Sequence, residues 1–530
     1  MRTLIKNGMV CDGTGASVYP ADVLIEGCVV REIIPDMSVQ ADMEMDAAGC
    51  VVTPAFIDTH RHCDIEAIAN PDFGNIEARQ GIATVVGGNC GLAPLPVGKN
   101  GAEIAEYIEP CLGKLPKTMQ LNHFTEYLDL LDMVHKPLNI GSYVGLGTLK
   151  AAVKGYGPSV LTAEDMKLMY TYVQESLNAG ALGLTAGIMY QPECYSSEEE
   201  YVQLIGMARD TGKPLACHIR GEGDNLVSSV GEILRIAKHA EVPLNISHLK
   251  ATGMKNWGSR IYEAIELIDS ARAGGQNVTV DFYPYDGGAT TLLSLLPPTL
   301  MADTITDTLS RILSPVGRRY AVQEIYREHA GWDNMVTSIG WERIIISGVR
   351  KKHNKRFANM DFESAAKLAG FSEPVDFLCE LLCDENGKVG IILRSMSAED
   401  IDAVAKLPYS MLISDALYGG SDCPHPRLYG SFPKFLKDYV YTRKVLTLEQ
   451  AIHKMTQMPA QMLNLTGRGV MQVGNVADVC VFRPDALASP ADYAVPTQLC
   501  SGFDAVFVNG VPVVHKDVFE PVSAGVTLRA

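Results

Sequence analysis

Two histidines one residue apart, His60 and His62, follow the apolar run Val51-Val52-Thr53-Pro54-Ala55-Phe56-Ile57. In an extended strand, residues i and i+2 share a face. Both imidazoles therefore leave one strand end on the same side, where they could share a metal ion. Taken alone, an H-x-H is more often two polar residues leaving a strand. Other chemistry-bearing residues end later apolar runs: Cys90, His218, His248 and Asp415. A lone cysteine usually reads as a small buried apolar residue. Cys90 follows Thr84-Val85-Val86-Gly87-Gly88-Asn89, a glycine-flanked strand end, where a thiolate could bind or bridge a metal. His218 ends Leu215-Ala216-Cys217 and His248 ends Asn245-Ile246-Ser247. Either could be a hydrogen-bonded core histidine, but equivalent places on neighbouring strands argue for a shared role. Asp415 closes Leu412-Ile413-Ser414. It could cap a turn or, facing a metal, accept a proton from water.

The elements that must carry these residues can be read from the same pattern. Apolar runs Phe56 to His62, Ile82 to Gly88, Asn139 to Gly145, Ala181 to Tyr190, Pro214 to Arg220, Pro243 to Lys250, Val278 to Tyr285 and Met411 to Asp415 read as buried parallel strands. Helical stretches at 163–179, 197–211 and 261–273 carry apolar residues three and four apart. Eight such units predict an α/β fold of the (β/α)8 TIM-barrel type, with its active site at the C-terminal strand ends. Short alternating strands at residues 1–55 and 470–530 predict a small β-sandwich built from both chain termini. The barrel then spans 56–469. The long gap after the seventh strand must hold elements of its own. It predicts an inserted subdomain, about residues 290–355, over the barrel mouth.

At 530 residues, 47% hydrophobic and 20% charged, the composition is that of a globular protein. A net charge of −17 argues against a nucleic-acid partner, since a phosphate binder needs a basic face. No apolar run is long enough to span a bilayer. The N-terminus breaks with Lys6 and Gly8 too early for a signal peptide. The 13 cysteines lack framework spacing and read as reduced thiols in the cytosol.

Several longer stretches together resemble the amidohydrolase superfamily, and within it the N-acyl-D-amino-acid deacylases, or D-aminoacylases. They are Pro54 to His62, Gly87-Gly88-Asn89-Cys90-Gly91, Gly183 to Tyr190, Ser247-His248-Leu249-Lys250, Asn256-Trp257-Gly258, Asp281-Phe282-Tyr283-Pro284-Tyr285 and His425-Pro426-Arg427-Leu428-Tyr429-Gly430. The resemblance implies zinc-dependent hydrolysis of the amide bond of a small-molecule N-acyl-D-amino acid. It implies that Cys90, His218 and His248 hold a tight zinc, while His60 and His62 belong to a second, weaker site. Asp415 would be general base and then general acid. Lys250, Tyr190, Tyr283 and Arg427 would contact substrate. Departures fall at Leu146, where relatives usually carry histidine, and at Ala416, where they carry glycine. Two rivals stand beside this reading. One is a cyclic-amide hydrolase of the hydantoinase or dihydroorotase type, for which Lys150 lies near the position of a carboxylated lysine. The other is a non-catalytic binding protein of the same fold. The choice between monomer and homo-oligomer stays open.

Overall fold

The structure is a computed structural model describing residues 1–96, 98–116, 119, 121–302, 304–329 and 331–530. Eight parallel strands form its centre: β1 (Phe56–Asp58), β2 (Ile82–Gly87), β3 (Asn139–Ser142, resuming at Val144–Gly145), β4 (Leu184–Gly187), β5 (Leu215–His218), β6 (Leu244–Ile246), β7 (Val278–Phe282) and β8 (Ser410–Leu412). Neighbours pair in parallel from β1 to β3 and from the second half of β3 to β8. Tyr143 bridges the break in β3, its N–H donating to Gly87 O at 3.0 Å. Residues just past the strand ends close the ring. Asp415 N–H donates to His60 O, and His62 N–H to Ala416 O, both at 2.9 Å. The backbone that joins β1 to β8 is thus the backbone carrying the histidine pair and the aspartate.

The strands are buried on both faces, as their Val/Ile/Ala content requires. Helices cover them on the outside. The helix α1 (Ala163–Ala179) starts at Thr162, whose hydroxyl accepts the Asp165 N–H while Asp165 accepts the Thr162 N–H. It ends at Gly180 in the left-handed region. Next come α2 (Leu226–Ala240) and α3 (Arg260–Ala273), which turn Ile233, Ile236 and Ile268 inward. After β8, α4 (Arg427–Phe435) begins with Arg427.

The two chain ends meet in one nine-stranded sheet. Strand Arg2–Val10 pairs with Val51–Pro54, and Val51–Pro54 pairs antiparallel with Val479–Phe482. Hydrogen bonding therefore runs unbroken from the N-terminal to the C-terminal half. Ile5, Val23, Val52, Val479 and Phe507 share one core on this sheet, while Phe482, Phe503 and Val506 pack into the barrel's core.

Between β7 and β8 lies a separate three-stranded antiparallel sheet with its own apolar core. Its middle strand is Gly390–Leu393, flanked by Gly288–Thr291 and Ile344–Gly348. The elements therefore continue well past residue 355, because the two outer strands pair only through the middle one. Positions 303 and 330 of the expected insertion lie outside the described residues. Among the described residues, no helix is long and apolar enough to cross a membrane.

Candidate active site

Each proposed site residue except Arg427, which opens helix α4, sits at the C-terminal end of a barrel strand or a few residues beyond it. Three of them hold unusual backbone: Cys90 at φ 55°, His248 at φ 36° and Asp415 at φ 51°. Left-handed conformation in a non-glycine residue costs roughly 1–3 kcal/mol, and such residues cluster at functional sites. At each of these positions the chain leaves its strand and turns the side chain into the barrel mouth. The Cys90 turn needs Gly88 beside it. A Cβ there would lie 2.3 Å from Tyr143 O.

The side chains converge. Cys90 Sγ lies 3.3 Å from His60 Nε2, 3.6 Å from His248 Nε2 and 3.8 Å from His218 Nδ1. Asp415 Oδ1 is 3.4 Å from Nε2 of both His60 and His62. Three overlapping sets emerge: His60, His62 and Cys90; Cys90, His218 and His248; and His60, His248 and Asp415. Within each set the ligand atoms lie within 4.8 Å of one another. A tetrahedral zinc with Zn–S ~2.3 Å and Zn–N ~2.05 Å puts its sulfur and nitrogen ligands roughly 3.6 Å apart. The separations around Cys90 bracket that value. A thiolate with several imidazoles is also the donor chemistry that zinc takes. The residues present therefore fit the ion.

Electrostatics agree with the donor assignment at three of the four histidines; at His60 burial is outweighed by Asp281 and Asp415, which raise it. Burial pushes His218 and His248 below the usual histidine range, and lowers His62 to about 4. These rings are neutral, which is the form that ligates. Burial, followed by the Asp415 charge, pushes the Cys90 thiol well up. A bound cation reverses that balance and favours the thiolate. Burial also opposes the charge on Asp415. The Arg427 guanidinium at 2.8 Å and His62 outweigh it and hold the carboxyl well below the usual range.

Lys250 reaches the same cavity from beyond β6. Its Nζ donates to Glu222 Oε1 at 2.6 Å and to His248 O at 3.0 Å. The ring of Tyr283 lies beside both cations, 4.7 Å from the Arg427 guanidinium and 6.0 Å from Lys250 Nζ. Tyr190 packs against His218 with ring centroids 4.7 Å apart. All four line the cavity, which measures about 420 Å³. Leu146 does not line it; it is buried at the start of the helix Leu146–Lys154. Lys150 lies on the same helix, donates to Ser196 Oγ at 2.5 Å and takes no place in the cavity wall.

Sequence reasoning missed the residues behind the proposed ligands. Glu222 Oε1 is 3.1 Å from His248 Nδ1 and 3.8 Å from His218 Nε2, so it backs two ligands and Lys250 together. Asp281 accepts the backbone N–H of His248 and stands 3.9 Å from His60 Nδ1. Arg61, between the paired histidines, is wholly buried. It donates to Asp58 at 3.2 Å, Ser414 Oγ at 3.1 Å, Glu77 at 2.8 Å and Tyr418 Oη at 2.6 Å. It thereby ties β1, the Asp415 turn and the following loop into one block. Asp281 left a readable signal as a charge inside the apolar strand Val278–Phe282.

Comparison with known proteins follows the same lines. The amidohydrolase family model matches residues 410–514. The D-aminoacylase of Alcaligenes xylosoxydans xylosoxydans is 31% identical over 98% of this chain and 96% of its own length. The N-acyl-D-glutamate deacylase of the same organism is 30% identical over 96% of this chain and 93% of its own. The crystal structure of N-acyl-D-glutamate deacylase from Bordetella bronchiseptica, complexed with zinc and a phosphonate mimic of the tetrahedral intermediate, superposes with a TM-score of 0.84. It is 29% identical and the match covers 100% of this chain and 99% of that one. The chain belongs to the D-aminoacylase branch of the amidohydrolases.

Proposed function

We propose that this protein hydrolyses the amide bond of N-acyl-D-amino acids, giving a carboxylate and a free D-amino acid, with zinc as its metal. The observation that carries the reading is the placement of Asp415. Its carboxylate touches both histidines of the β1 pair and stands over the Cys90–His218–His248 set. Cys90, His218 and His248 would hold the tight ion, and His60 and His62, with Cys90 shared, the weaker one. Zinc in such a site lowers the pKa of water from 15.7 toward ~7 and polarises a carbonyl.

The chain's own groups do the rest. Arg427 keeps Asp415 ionised, so Oδ1 can take the proton of the attacking water. The same carboxyl then returns that proton to the leaving amine nitrogen. Lys250 and Tyr283 bind the substrate's α-carboxylate, with Arg427 beside them. Tyr190, packed on His218, borders the acyl carbonyl. The insertion, taken as Gly288–Leu393, contributes Leu293, Leu296, Met301 and Leu393 to the cavity wall. D-selectivity rests on the likeness to the deacylases and not on any one contact. Against the cyclic-amide rival stands Lys150, which is bonded to Ser196 away from the cavity. Asp415→Asn tests the assignment. It keeps the shape and removes the base, so kcat should fall by at least ~10² while zinc is retained. A zinc-replete variant with unchanged kcat refutes the role.

A further inference from the structure

The loop between β5 and α2 carries Glu222, whose Oε1 backs His248, His218 and Lys250. Its sequence, Gly221-Glu222-Gly223-Asp224-Asn225, must turn the chain from strand to helix and aim one carboxylate at three groups. A helix start leaves backbone N–H groups without intrahelical partners. Asp or Asn at this place ordinarily supplies the accepting oxygen. Neither does so here. Asn225, the residue before α2, makes no side-chain cap. Asp224 is drawn away to Asn256 Nδ2 at 2.9 Å and Lys255 Nζ at 2.7 Å.

The acceptor comes from the insertion. Asp333 Oδ2 takes the N–H of Glu222 and of Gly223, both at 2.7 Å. Asp333 Oδ1 takes the Asn225 N–H at 3.1 Å and Asn225 Nδ2 at 2.9 Å. The carboxylate is buried, and hydrogen bonds to an ionised acceptor are the strong ones. Glycines on either side of Glu222 let it in. A Cβ at Gly221 would lie 2.7 Å from Asp333 Oδ2, and one at Gly223 would lie 3.1 Å from Asp333 Cγ. Asp333 is itself firmly seated. The next residue, Asn334, caps the helix Met335–Ile339 and donates Nδ2 to Ile325 O at 2.6 Å. Met335, Val336 and Ile339 belong to the insertion's core.

Both peptide groups that flank the Glu222 Cα are therefore pinned. Asp333 holds the N–H of each, and the Glu222 carbonyl also accepts the Thr252 N–H at 2.7 Å. Fixing both peptide planes fixes the direction in which the side chain leaves the chain. The partners stand 108 to 111 residues apart in sequence, so the contact does what a local cap cannot and ties the loop to the insertion. We infer that Asp333 is a positioning residue for the metal centre: through this carboxylate the insertion holds the loop that aims Glu222 at His248, His218 and Lys250. This rests on the zinc deacylase reading above.

The test measures zinc affinity by competition with a chromophoric chelator. It also follows amide hydrogen exchange over residues 221–225 of the metal-free protein, which reports local opening of that loop. Asp333→Asn should weaken zinc binding about 10-fold, the lower end of what losing a group behind a metal ligand costs. It should also speed exchange over 221–225. In a Glu222→Gln background the same change should cost less than about 2-fold, because residues that act through one group are not additive. Asp361→Ala is the control. It removes the cap of the insertion helix Phe362–Ala369, whose partner, the Ser364 N–H at 2.8 Å, lies within the insertion. Its zinc Kd should stay that of the wild type. Gly221→Ala reaches the Asp333 contact from the barrel side and serves if Asp333→Asn does not fold; it should weaken zinc in the same direction. A wild-type zinc Kd in either folded variant overturns the inference and leaves the deacylase reading intact. So does an equal loss in the Glu222→Gln background or in Asp361→Ala. Failure of the wild type to bind zinc overturns both.

Discussion

Glu222→Gln probes the part of the site that lies behind the metal ligands. One oxygen of Glu222 serves three groups: Lys250 Nζ at 2.6 Å, His248 Nδ1 at 3.1 Å and His218 Nε2 at 3.8 Å. For His248 to present Nε2 to a metal as a neutral ring, Nδ1 must carry the proton, and Glu222 Oε1 at 3.1 Å is its acceptor, since Lys250 Nζ, 2.8 Å from the same nitrogen, can only donate. The carboxylate is charged over the whole working pH range. Burial opposes its charge, but the Lys250 ammonium outweighs burial and holds it far below the usual range. Glutamine keeps the volume and one acceptor while removing the charge. Loss of an outer carboxylate of this kind typically lowers metal affinity 10- to 100-fold, or about 1.4–2.8 kcal/mol. Lys250 would also be left buried without its partner. Breaking a buried ion pair costs about 3–5 kcal/mol, so the metal-free variant should melt at a lower temperature than the metal-free wild type. The assay is zinc competition against a chromophoric chelator at fixed pH. Glu232→Gln is the control, because Glu232 holds Arg220 and has no contact with a proposed ligand. A folded Glu222→Gln protein with the wild-type zinc Kd refutes the reasoning.

Cys90→Ala should fold but lose zinc and activity together; full zinc content with normal turnover would return Cys90 to the role of a core thiol. Lys250→Met should lower kcat/KM about 10- to 150-fold, the worth of a charged hydrogen bond of roughly 1.5–3 kcal/mol. Amidating the substrate's α-carboxylate should cost a similar factor in the wild type and little more in the variant, and equal turnover of acid and amide by the wild type contradicts this. Glu193 gives a pH signature. Burial raises its carboxyl from 4.5 to about 8, against the Gly187 N–H and Tyr201 hydroxyl that stabilise the charge. The folded chain then binds more protons than the unfolded chain between those values, so this group makes stability fall as pH rises through the window. Glu193→Gln should flatten that slope in urea midpoints measured from about pH 5 to 8, and an unchanged slope excludes the effect.

The positions of the proposed ligands were legible because barrel strands are short apolar runs and the candidate residues sit where each run ends. His60, His62, Cys90, His218, His248 and Asp415 follow such runs, and the structure brings them together. Their left-handed backbone was not legible at His248 and Asp415, since only Cys90 has flanking glycines to signal a turn. Glu222 was missed because a carboxylate between two loop glycines reads as solvated. Its partner, Lys250, is 28 residues away and is brought close by β5–β6 pairing. Arg61 reads as the outward residue of an H-x-H strand, yet Glu77 and Tyr418 bury it. Gly390–Leu393 was not legible because it is too short a run to stand out, though it is the strand that pairs with both Gly288–Thr291 and Ile344–Gly348.

We propose a zinc-dependent deacylase of D-configured substrates. The direct measurement strips the enzyme with a chelator, adds zinc back, and follows hydrolysis of N-acetyl-D-methionine beside its L-enantiomer, with bound zinc quantified in the same samples. Such an enzyme should show no turnover without metal, recovery as zinc fills the Cys90–His218–His248 set, and little hydrolysis of the L-enantiomer at any zinc level. Persistent activity in the metal-free protein, or equal rates for the two enantiomers, would contradict it.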